Sequence, residues 1–286
     1  TLPDPSSTSV NSAITATLGY VYKPTKNWQI NSVLSSGFRA PNIDDVGRVR
    51  EKSGNVTIPN IYVAPEFAYS AEFGIQKYFN NRRFRIGGNV FYTLLDSYIQ
   101  RDFVYVSDGS NLQVAFDGEF GNAVSNQNKG TAYITGFTTS YLGKISNRWN
   151  TSGFITYTKG RTYDTKEPMS SIPPLFGQFE VNYKMEKLEL GVDFRFNSKK
   201  NIEDFNFTEG IDNHDLTPIV DANATSDAAR FYGSPSWNTL GFNGRYTFND
   251  NLSFQARIAN LFDEHYIEFA SGVSAPGRNI SVSFLA

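Results

Sequence analysis

The sequence contains no cysteine, and this absence removes three kinds of chemistry at once. Disulfide bonds, thiolate metal sites and cysteine nucleophiles all require the missing thiol. Histidine is almost as scarce, since His214 and His265 are the two in 286 residues. This supply is too small for a histidine-rich metal centre, and no cofactor is predicted.

Long apolar runs and an excess of charge of one sign are also missing. A run of about 18 apolar residues, the length that a transmembrane helix needs, does not occur. Lys and Arg number 26 against 28 Asp and Glu, a balance that gives no indication of a nucleic-acid partner. The opening residues TLPDPSSTSV lack the Met, the basic segment and the apolar segment of a targeting signal. These absences argue against a helical membrane protein and against a nucleic-acid-binding protein.

Aromatic residues and a two-residue period are what the sequence does contain. Aromatic residues make up 15% of the chain and hydrophobic residues 40%, a combination that suits interfacial aromatic girdles better than an oily core. Between Leu188 and Asn197 apolar and polar residues alternate, so Val192 shares a face with Phe194 while Asp193 lies on the opposite face. A soluble β-sandwich and a transmembrane β-barrel both show this alternation, so alternation alone does not distinguish the two architectures.

The connections between strands distinguish the two architectures. Eleven strands are predicted, at about 11–23, 26–39, 66–79, 82–101, 128–142, 147–161, 172–184, 187–199, 234–248, 251–262 and 276–286. Their connections alternate between tight turns and long loops, as in outer-membrane barrels with short periplasmic turns and long external loops. The predicted fold class is therefore all-β, an antiparallel transmembrane β-barrel whose strands project beyond the bilayer on the outer side. Since single-chain bacterial barrels have an even number of strands, residues 1–286 are predicted to be the C-terminal part of one larger barrel domain.

Five segments carry a resemblance to a known family. They are SSGFRAPNIDDV (35–46), PEFAYSAEFG (65–74), NKGTAYITGF (128–137), PMSSIPPLFG (168–177), and NLFDEHY (260–266) followed by PGRN (276–279). In this order they resemble the C-terminal half of a TonB-dependent outer-membrane receptor. The resemblance implies a barrel of about 22 strands, of which this chain supplies about the last 11. It also implies an N-terminal plug domain, a first barrel half and a TonB box, none of which is present in this sequence.

The function implied by the resemblance is the import of a scarce nutrient across the bacterial outer membrane, without bond chemistry. The implied partners are outer-membrane lipid, the plug, the TonB protein and a small nutrient ligand, with a surface lipoprotein as a further candidate. Family frequency favours a siderophore-type ferric chelate, and an oligosaccharide, a peptide or cobalamin stays open. Haem is disfavoured, because the family's haem receptors are expected to carry a His after Phe-Arg-Ala-Pro and none lies between Phe38 and Glu66.

Candidate ligand-side residues lie at a strand end and in the long loops. Arg39 is interpreted either as a lumenal cation near the ligand or plug, or as a bridge from a strand end to a loop carboxylate. The loop candidates are Tyr105, Phe116, Phe120, His214 and His265. In the loop 102–127 the aromatic side chains of Tyr105, Phe116 and Phe120 are predicted either to stack on a ligand or to pack the loop on itself.

The loop 200–233 is rich in carboxylates. Its acidic residues are Glu203, Asp204, Glu209, Asp212, Asp215, Asp221 and Asp227. Within it Asp212 and Asp215 form a weak candidate cation site, with a solvated surface loop as the stronger interpretation. The acidity argues mildly against an anionic ligand.

Two further groups are singled out at the two ends of the barrel. Arg83 and Arg85 follow a predicted short turn on the polar face, and the resemblance implies that they face the plug. The closing-strand candidates are Pro276, Gly277, Arg278 and Phe284. Proline cannot donate to a sheet ladder and glycine permits unusual torsions, so the Pro-Gly pair is predicted to mark the external rim, with Phe284 facing lipid.

Two other functions compete with import. One is a non-transport barrel subunit of a surface complex, with the loops as its docking surface. The other is an outer-membrane hydrolase that uses His214 or His265 with a serine or an aspartate. No nucleophile-elbow pattern occurs, so the protein is predicted not to be an enzyme.

Overall fold

A computed structural model describes residues 10–52, 54–106, 112–208 and 211–285 of the chain, so Glu209 lies outside the described residues. The strands are β1 (Thr17–Thr25), β2 (Trp28–Arg39), β3 (Arg50–Lys52), β4 (Asn55–Thr57), β5 (Glu66–Phe79), β6 (Phe84–Asp96), β7 (Ile99–Phe103), β8 (Gln113–Phe116), β9 (Glu119–Asn128), β10 (Thr131–Lys144), β11 (Trp149–Thr162), β12 (Phe176–Met185), β13 (Leu188–Asn197), β14 (Lys200–Asn201), β15 (Gly233–Ser234), β16 (Trp237–Asn249), β17 (Leu252–Ala259) and β18 (Asn279–Leu285). Two short helices, α1 (Ile43–Gly47) and α2 (Asp227–Arg230), lie in long connections, as do the 3-10 turns Ile202–Asp204 and His214–Leu216. None of the described helices is long and apolar enough to cross a membrane.

One sheet of eleven antiparallel strands forms the body of the molecule. We call this sheet the wall. Its strand order is β1-β2-β5-β6-β10-β11-β12-β13-β16-β17-β18, so each wall strand pairs with the next wall strand along the chain. The predicted eleven strands and their antiparallel arrangement are confirmed. In the part of the chain that the structure describes, β1 and β18 each pair on one side, which leaves the sheet open at both edges.

Tight turns and long loops sort to opposite ends of the sheet, as predicted. The tight connections are 26–27, 80–83, 145–148, 186–187 and 250–251. In the 80–83 turn Asn80, Asn81 and Arg82 adopt left-handed φ values of 48°, 53° and 69°, a conformation that asparagine tolerates better than most residues. The long connections are 40–65, 97–130, 163–175, 198–236 and 260–278.

The two faces of the sheet differ in polarity. Large apolar side chains remain exposed on one face, among them Leu18, Leu34, Phe73, Val90, Phe242, Ile280, Val282 and Phe284. The opposite face carries charged residues in register, for example Glu180 beside Asp193. An exposed apolar face of this extent is a liability in water and is what a lipid-facing barrel wall requires.

Glycine allows aromatic rings to stack across the lipid-facing side of the wall. Tyr141 in β10 and Phe179 in β12 stack at 6.2 Å, although β11 lies between their strands. Gly153 of β11 is the residue between them, and a Cβ there would lie 2.5 Å from the Phe179 ring and 2.8 Å from the Tyr141 ring. The absence of a side chain at Gly153 is therefore a packing requirement of this wall.

The structure differs from the predicted strands in the loop regions. The predicted strand 82–101 is broken, because Ser97 adopts a φ of 53° between β6 and β7. The predicted loop 102–127 contains β8 and most of β9, which join β3, β4 and β7 in a second sheet. Strands β17 and β18 have 8 and 7 residues, and β1, β12 and β13 have 9, 10 and 10. The prediction that the strands are longer than the roughly 9–11 residues needed to cross a bilayer is therefore wrong for these five.

Candidate functional site

Arg39 joins four elements at the loop end of the wall. Its Nη1 lies 2.7 Å from Asp45 Oδ2 in α1, and its Nε lies 3.4 Å from Glu66 Oε1 in β5. The other Glu66 oxygen accepts a hydrogen bond from the backbone N–H of Ile99 in β7 at 2.7 Å. Arg39 thus bridges the end of β2 to Asp45 of the loop helix α1 and to Glu66 at the start of β5.

The sequence around α1 explains how the loop 40–65 is held near Arg39. The Asn42 side chain accepts from the backbone N–H of Asp45, and the Asp45 carboxylate accepts from that of Asn42, a reciprocal cap. Asn126 of β9 donates from Nδ2 to the backbone oxygens of Asp44 and Asp45 at 3.3 and 3.2 Å. Sequence reasoning missed Asn126, because its partners lie about eighty residues away.

The aromatic loop candidates lie on and beside the β8–β9 hairpin and are exposed. Tyr105 is 65% exposed, Phe116 37% and Phe120 75%. Within the described residues no ring contact joins the three to one another, and all three side chains are exposed. The structure does not bring them together with either histidine.

The Asp212 carboxylate lies in a buried ion pair. Its Oδ2 is 3.2 Å from Lys200 Nζ, and the two side chains are 2% and 4% exposed. Asp212 also accepts from the backbone N–H of Ser171 at 2.9 Å. Burial lowers the pKa of Lys200, and the neighbouring Asp212 opposes that shift. Because the Asp212 carboxylate is already paired with Lys200, it is a poor ligand for a further cation.

The candidate cation site at Asp212 and Asp215 therefore has little geometric support. In the described ranges no group of three or more His, Cys, Asp or Glu residues gathers where a metal ion could bind. Asp212 forms an ion pair with Lys200, whereas Asp215 lines a cavity that His214 also lines.

His214 lies in the long connection 198–236, as predicted, and its side chain is buried there. Its Nε2 lies 2.8 Å from Asp227 Oδ2, and its ring packs among the rings of Phe205, Phe207 and Phe231. The side chain is 5% exposed, and Nδ1 has no hydrogen-bond partner among the described residues. This histidine belongs to a small aromatic core inside the loops.

His265 is exposed and lies apart from His214. Its Nε2 is 3.2 Å from Ser274 Oγ, a contact of the kind that a hydrolase needs. Within the described residues no carboxylate pairs with His265 to orient its ring, and the Asp227 carboxylate serves His214 instead. The arrangement therefore lacks the third member of a catalytic triad.

The two arginines predicted to face the plug differ in position. Arg85 lies in β6 in register with Tyr78 and Leu142, on the polar face as predicted. Arg83 lies in the 80–83 turn, where its Nη1 donates to Asn147 Oδ1 at 3.4 Å. The placement of Arg83 on the polar face of a strand was wrong, because the strand begins one residue later.

The polar face is concave and carries charges of both signs. A groove of about 710 Å³ lies over β12, β13, β16, β17 and β18. Its charged lining residues are Glu180, Lys184, Glu189, Arg245 and Arg257. Such a surface suits contact with another polar protein surface rather than with lipid.

The closing strand β18 begins at Asn279, three residues after the predicted start at Pro276, and Gly277 acts differently from the prediction. Gly277 is not among the described residues with a left-handed φ. A Cβ at Gly277 would lie 2.6 Å from Asp263 Oδ1, which accepts from the backbone N–H of Arg278 at 2.6 Å. Close approach of the Asp263 carboxylate, and not an unusual torsion, is the reason for glycine. Phe284 is exposed and packs against Phe254 at 5.1 Å, as a lipid-facing residue would.

Comparisons with known proteins match this architecture. The family model described as "TonB dependent receptor-like, beta-barrel" matches residues 2–261. Hemoglobin-binding protein A of Haemophilus influenzae is 25% identical over 265 residues, which cover 88% of this chain and 24% of that protein. A second Haemophilus influenzae protein, hemoglobin and hemoglobin-haptoglobin-binding protein A, is 25% identical over 259 residues, covering 87% of this chain and 22% of that protein. The chain thus spans about a quarter of the length of these relatives.

Solved structures show the same fold. The copper transporter OprC has a TM-score of 0.70 at 17% identity, covering 94% of this chain and 38% of that one. The siderophore receptor PirA from Acinetobacter baumannii has a TM-score of 0.70 at 18% identity, covering 94% of this chain and 40% of that one. The eleven-stranded wall, its loop asymmetry and the match over residues 2–261 lead to one conclusion. The chain belongs to the TonB-dependent receptor β-barrel family, whose members are bacterial outer-membrane proteins.

Proposed function

We propose that this chain is the C-terminal wall of a TonB-dependent importer that brings a scarce, metal-bearing nutrient across the outer membrane. The observation that carries the proposal is the open sheet of eleven consecutive antiparallel strands. An unpaired strand edge in hydrocarbon costs several kcal/mol for each unsatisfied polar group, so β1 and β18 need further strands beside them. A barrel of about 22 strands would provide those strands.

A plug domain against the polar face completes the proposed receptor. The concave groove over β12, β13 and β16–β18, together with Arg85 of β6, offers that domain carboxylates and cations. TonB would act on the plug from the periplasmic side, where the tight turns lie. The family consists of receptors and transporters, in agreement with a protein that binds and moves its ligand without breaking bonds.

A ferric chelate is the leading cargo. The structural neighbours include siderophore receptors, and exposed loop side chains such as Phe120 are available to contact a ligand. Haem taken from haemoglobin is the second candidate, favoured by the two haemoglobin-binding relatives. The stretch between Phe38 and Glu66 has no histidine, so the exposed His265 would have to act as the haem-facing imidazole.

The test is uptake of radioactive iron by cells that carry the full-length receptor as their sole iron receptor. Iron is offered as a ferric chelate panel and as haemoglobin, in strains with and without TonB. We expect saturable, TonB-dependent uptake from at least one chelate. If haemoglobin alone supports uptake and His265→Ala abolishes it, haem replaces the chelate as cargo. If iron uptake does not depend on TonB and a lipoprotein co-purifies with the receptor, the alternative of a non-transport barrel subunit is favoured.

A further inference from the structure

Three external loops enclose a cavity that sequence reasoning did not anticipate. It has a volume of about 330 Å³ and lies between the β3–β4 hairpin, β7 and the segment 207–231. The segments are tied together, because Lys52 Nζ donates to Asn213 Oδ1 at 3.3 Å and Thr208 Oγ1 donates to the backbone oxygen of Arg101 at 2.8 Å. The cavity is therefore a feature of the packed loops and not a gap between independent ones.

Positive charge dominates the lining of this cavity. Its cationic residues are Arg50, Lys52, Arg101 and Arg230. Its carboxylates are Asp215 and Asp227, and the latter is paired with His214. Arg50 and Arg230 are exposed, and neither forms an ion pair with any carboxylate in the described part of the chain. Two guanidinium groups thus remain available at one small cavity.

The acidity of the loop 198–236 does not cancel this charge. Asp204 pairs with Arg161, and Asp212 pairs with the buried Lys200. These carboxylates are already neutralised, by Arg161 at the loop end of β11 and by Lys200 of the same loop. The sequence-based argument against an anionic ligand therefore fails at this cavity, because it counted charges without their partners.

We propose that this cavity binds carboxylate groups of the imported ligand, with Arg50 and Arg230 as the contacting cations. The proposal rests on the proposed importer function. A guanidinium presents parallel N–H donors that match the two oxygens of a carboxylate. The buried Thr57, His214 and Phe231 form a shaped floor, so the volume suits one charged edge of a ligand rather than the whole of it. A carboxylate chelate of iron and the propionates of haem share this chemistry.

The test measures binding to outer membranes that contain the full-length receptor. The probes are ferric citrate, haemin, a neutral ferric trihydroxamate and haemoglobin, and the variants are Arg50→Gln, Arg230→Gln and the double variant. We expect each single change to weaken binding of at least one carboxylate probe about tenfold, and the double change about 100-fold. Binding of the neutral probe should change less than about twofold, and salt should weaken wild-type binding more than that of the double variant.

Arg148→Gln is the matched control, since Arg148 lies in a tight turn at the opposite end of the wall. This variant should bind all probes as the wild type does. The probe that loses affinity, ferric citrate or haemin, identifies the source of the carboxylate. Unchanged affinity of the double variant for both carboxylate probes overturns the inference. Saturable binding of the neutral probe alone also overturns it and leaves the importer intact, whereas no saturable binding of any probe, haemoglobin included, overturns the importer as well.

Discussion

The wall and the external loops of this molecule are built by opposite rules. In the wall each strand pairs with the next wall strand in sequence, and a period of two residues sorts side chains to lipid or lumen. In the loops the decisive contacts join distant segments, as when Lys52 reaches Asn213 across 161 residues. The loops also contain an apolar core of their own, formed by Ile202, Phe205 and Phe231. The wall follows from local pattern, whereas the loops depend on particular partners.

The largest predicted effect of a single substitution is in the loops, at the buried ion pair. Lys200→Met removes the cation that Asp212 faces at 3.2 Å and leaves a buried carboxylate unpaired. We expect a local cost of about 3–5 kcal/mol, because an uncompensated buried charge cannot recover its hydration. Hydrogen exchange in the full-length receptor should show loss of protection in 198–236 with the wall unchanged.

The control for this change is Lys199→Met. Lys199 is exposed, with its Nζ 3.6 Å from the centre of the Tyr232 ring, so its loss should cost about 0.5–1 kcal/mol. The double variant Lys200→Met with Asp212→Leu should recover much of the lost protection, since it removes both charges. Equal exchange in Lys200→Met and Lys199→Met would contradict the importance of the buried pair.

A smaller effect is expected in the wall, at Gly153. In Gly153→Ala the new methyl would meet the Phe179 ring at 2.5 Å and the Tyr141 ring at 2.8 Å, so strands must shift at a cost of about 1–3 kcal/mol. Heat-modifiable mobility on gels should show less folded barrel. Gly244→Ala is the matched control on the same face, where the methyl meets Leu190 at 3.4 Å. Similar folding of the two variants would show that ring stacking across β11 is dispensable.

The difference between wall and loops also explains what could be predicted from the sequence. The eleven strands and their antiparallel arrangement were predictable because alternation and turn residues such as Asn80 are local signals. The break at Ser97 was missed, since a single left-handed φ leaves the alternation on either side intact. The sequence indicated a role for Gly277 but not the physical reason for the glycine. The Asp263 carboxylate comes close to Gly277 only when the last loop folds.

The candidate site was harder to predict than the wall. A count of charges in 200–233 indicated an acidic surface, yet Lys200 and Arg161 neutralise two of those carboxylates. Arg50 lies in a different loop, and its proximity to Arg230 is a consequence of tertiary packing. Composition reports how many charges a loop has, whereas function depends on which charges remain without a partner.

The smallest effect is predicted where wall and loops meet, at Arg39. Arg39→Gln removes the ion pairs with Asp45 and Glu66 but leaves an amide that still donates to one of them. Since the Arg39 side chain is 41% exposed, we expect a loss of about 1 kcal/mol, seen as faster exchange in the loop 40–65 with barrel folding unchanged. A double-mutant cycle with Asp45→Asn should show coupling, and Arg82→Gln in a tight turn should change neither region. The same variant separates the two interpretations of Arg39, because a loss of ligand affinity without faster loop exchange would assign the residue to the ligand instead of to the bridge.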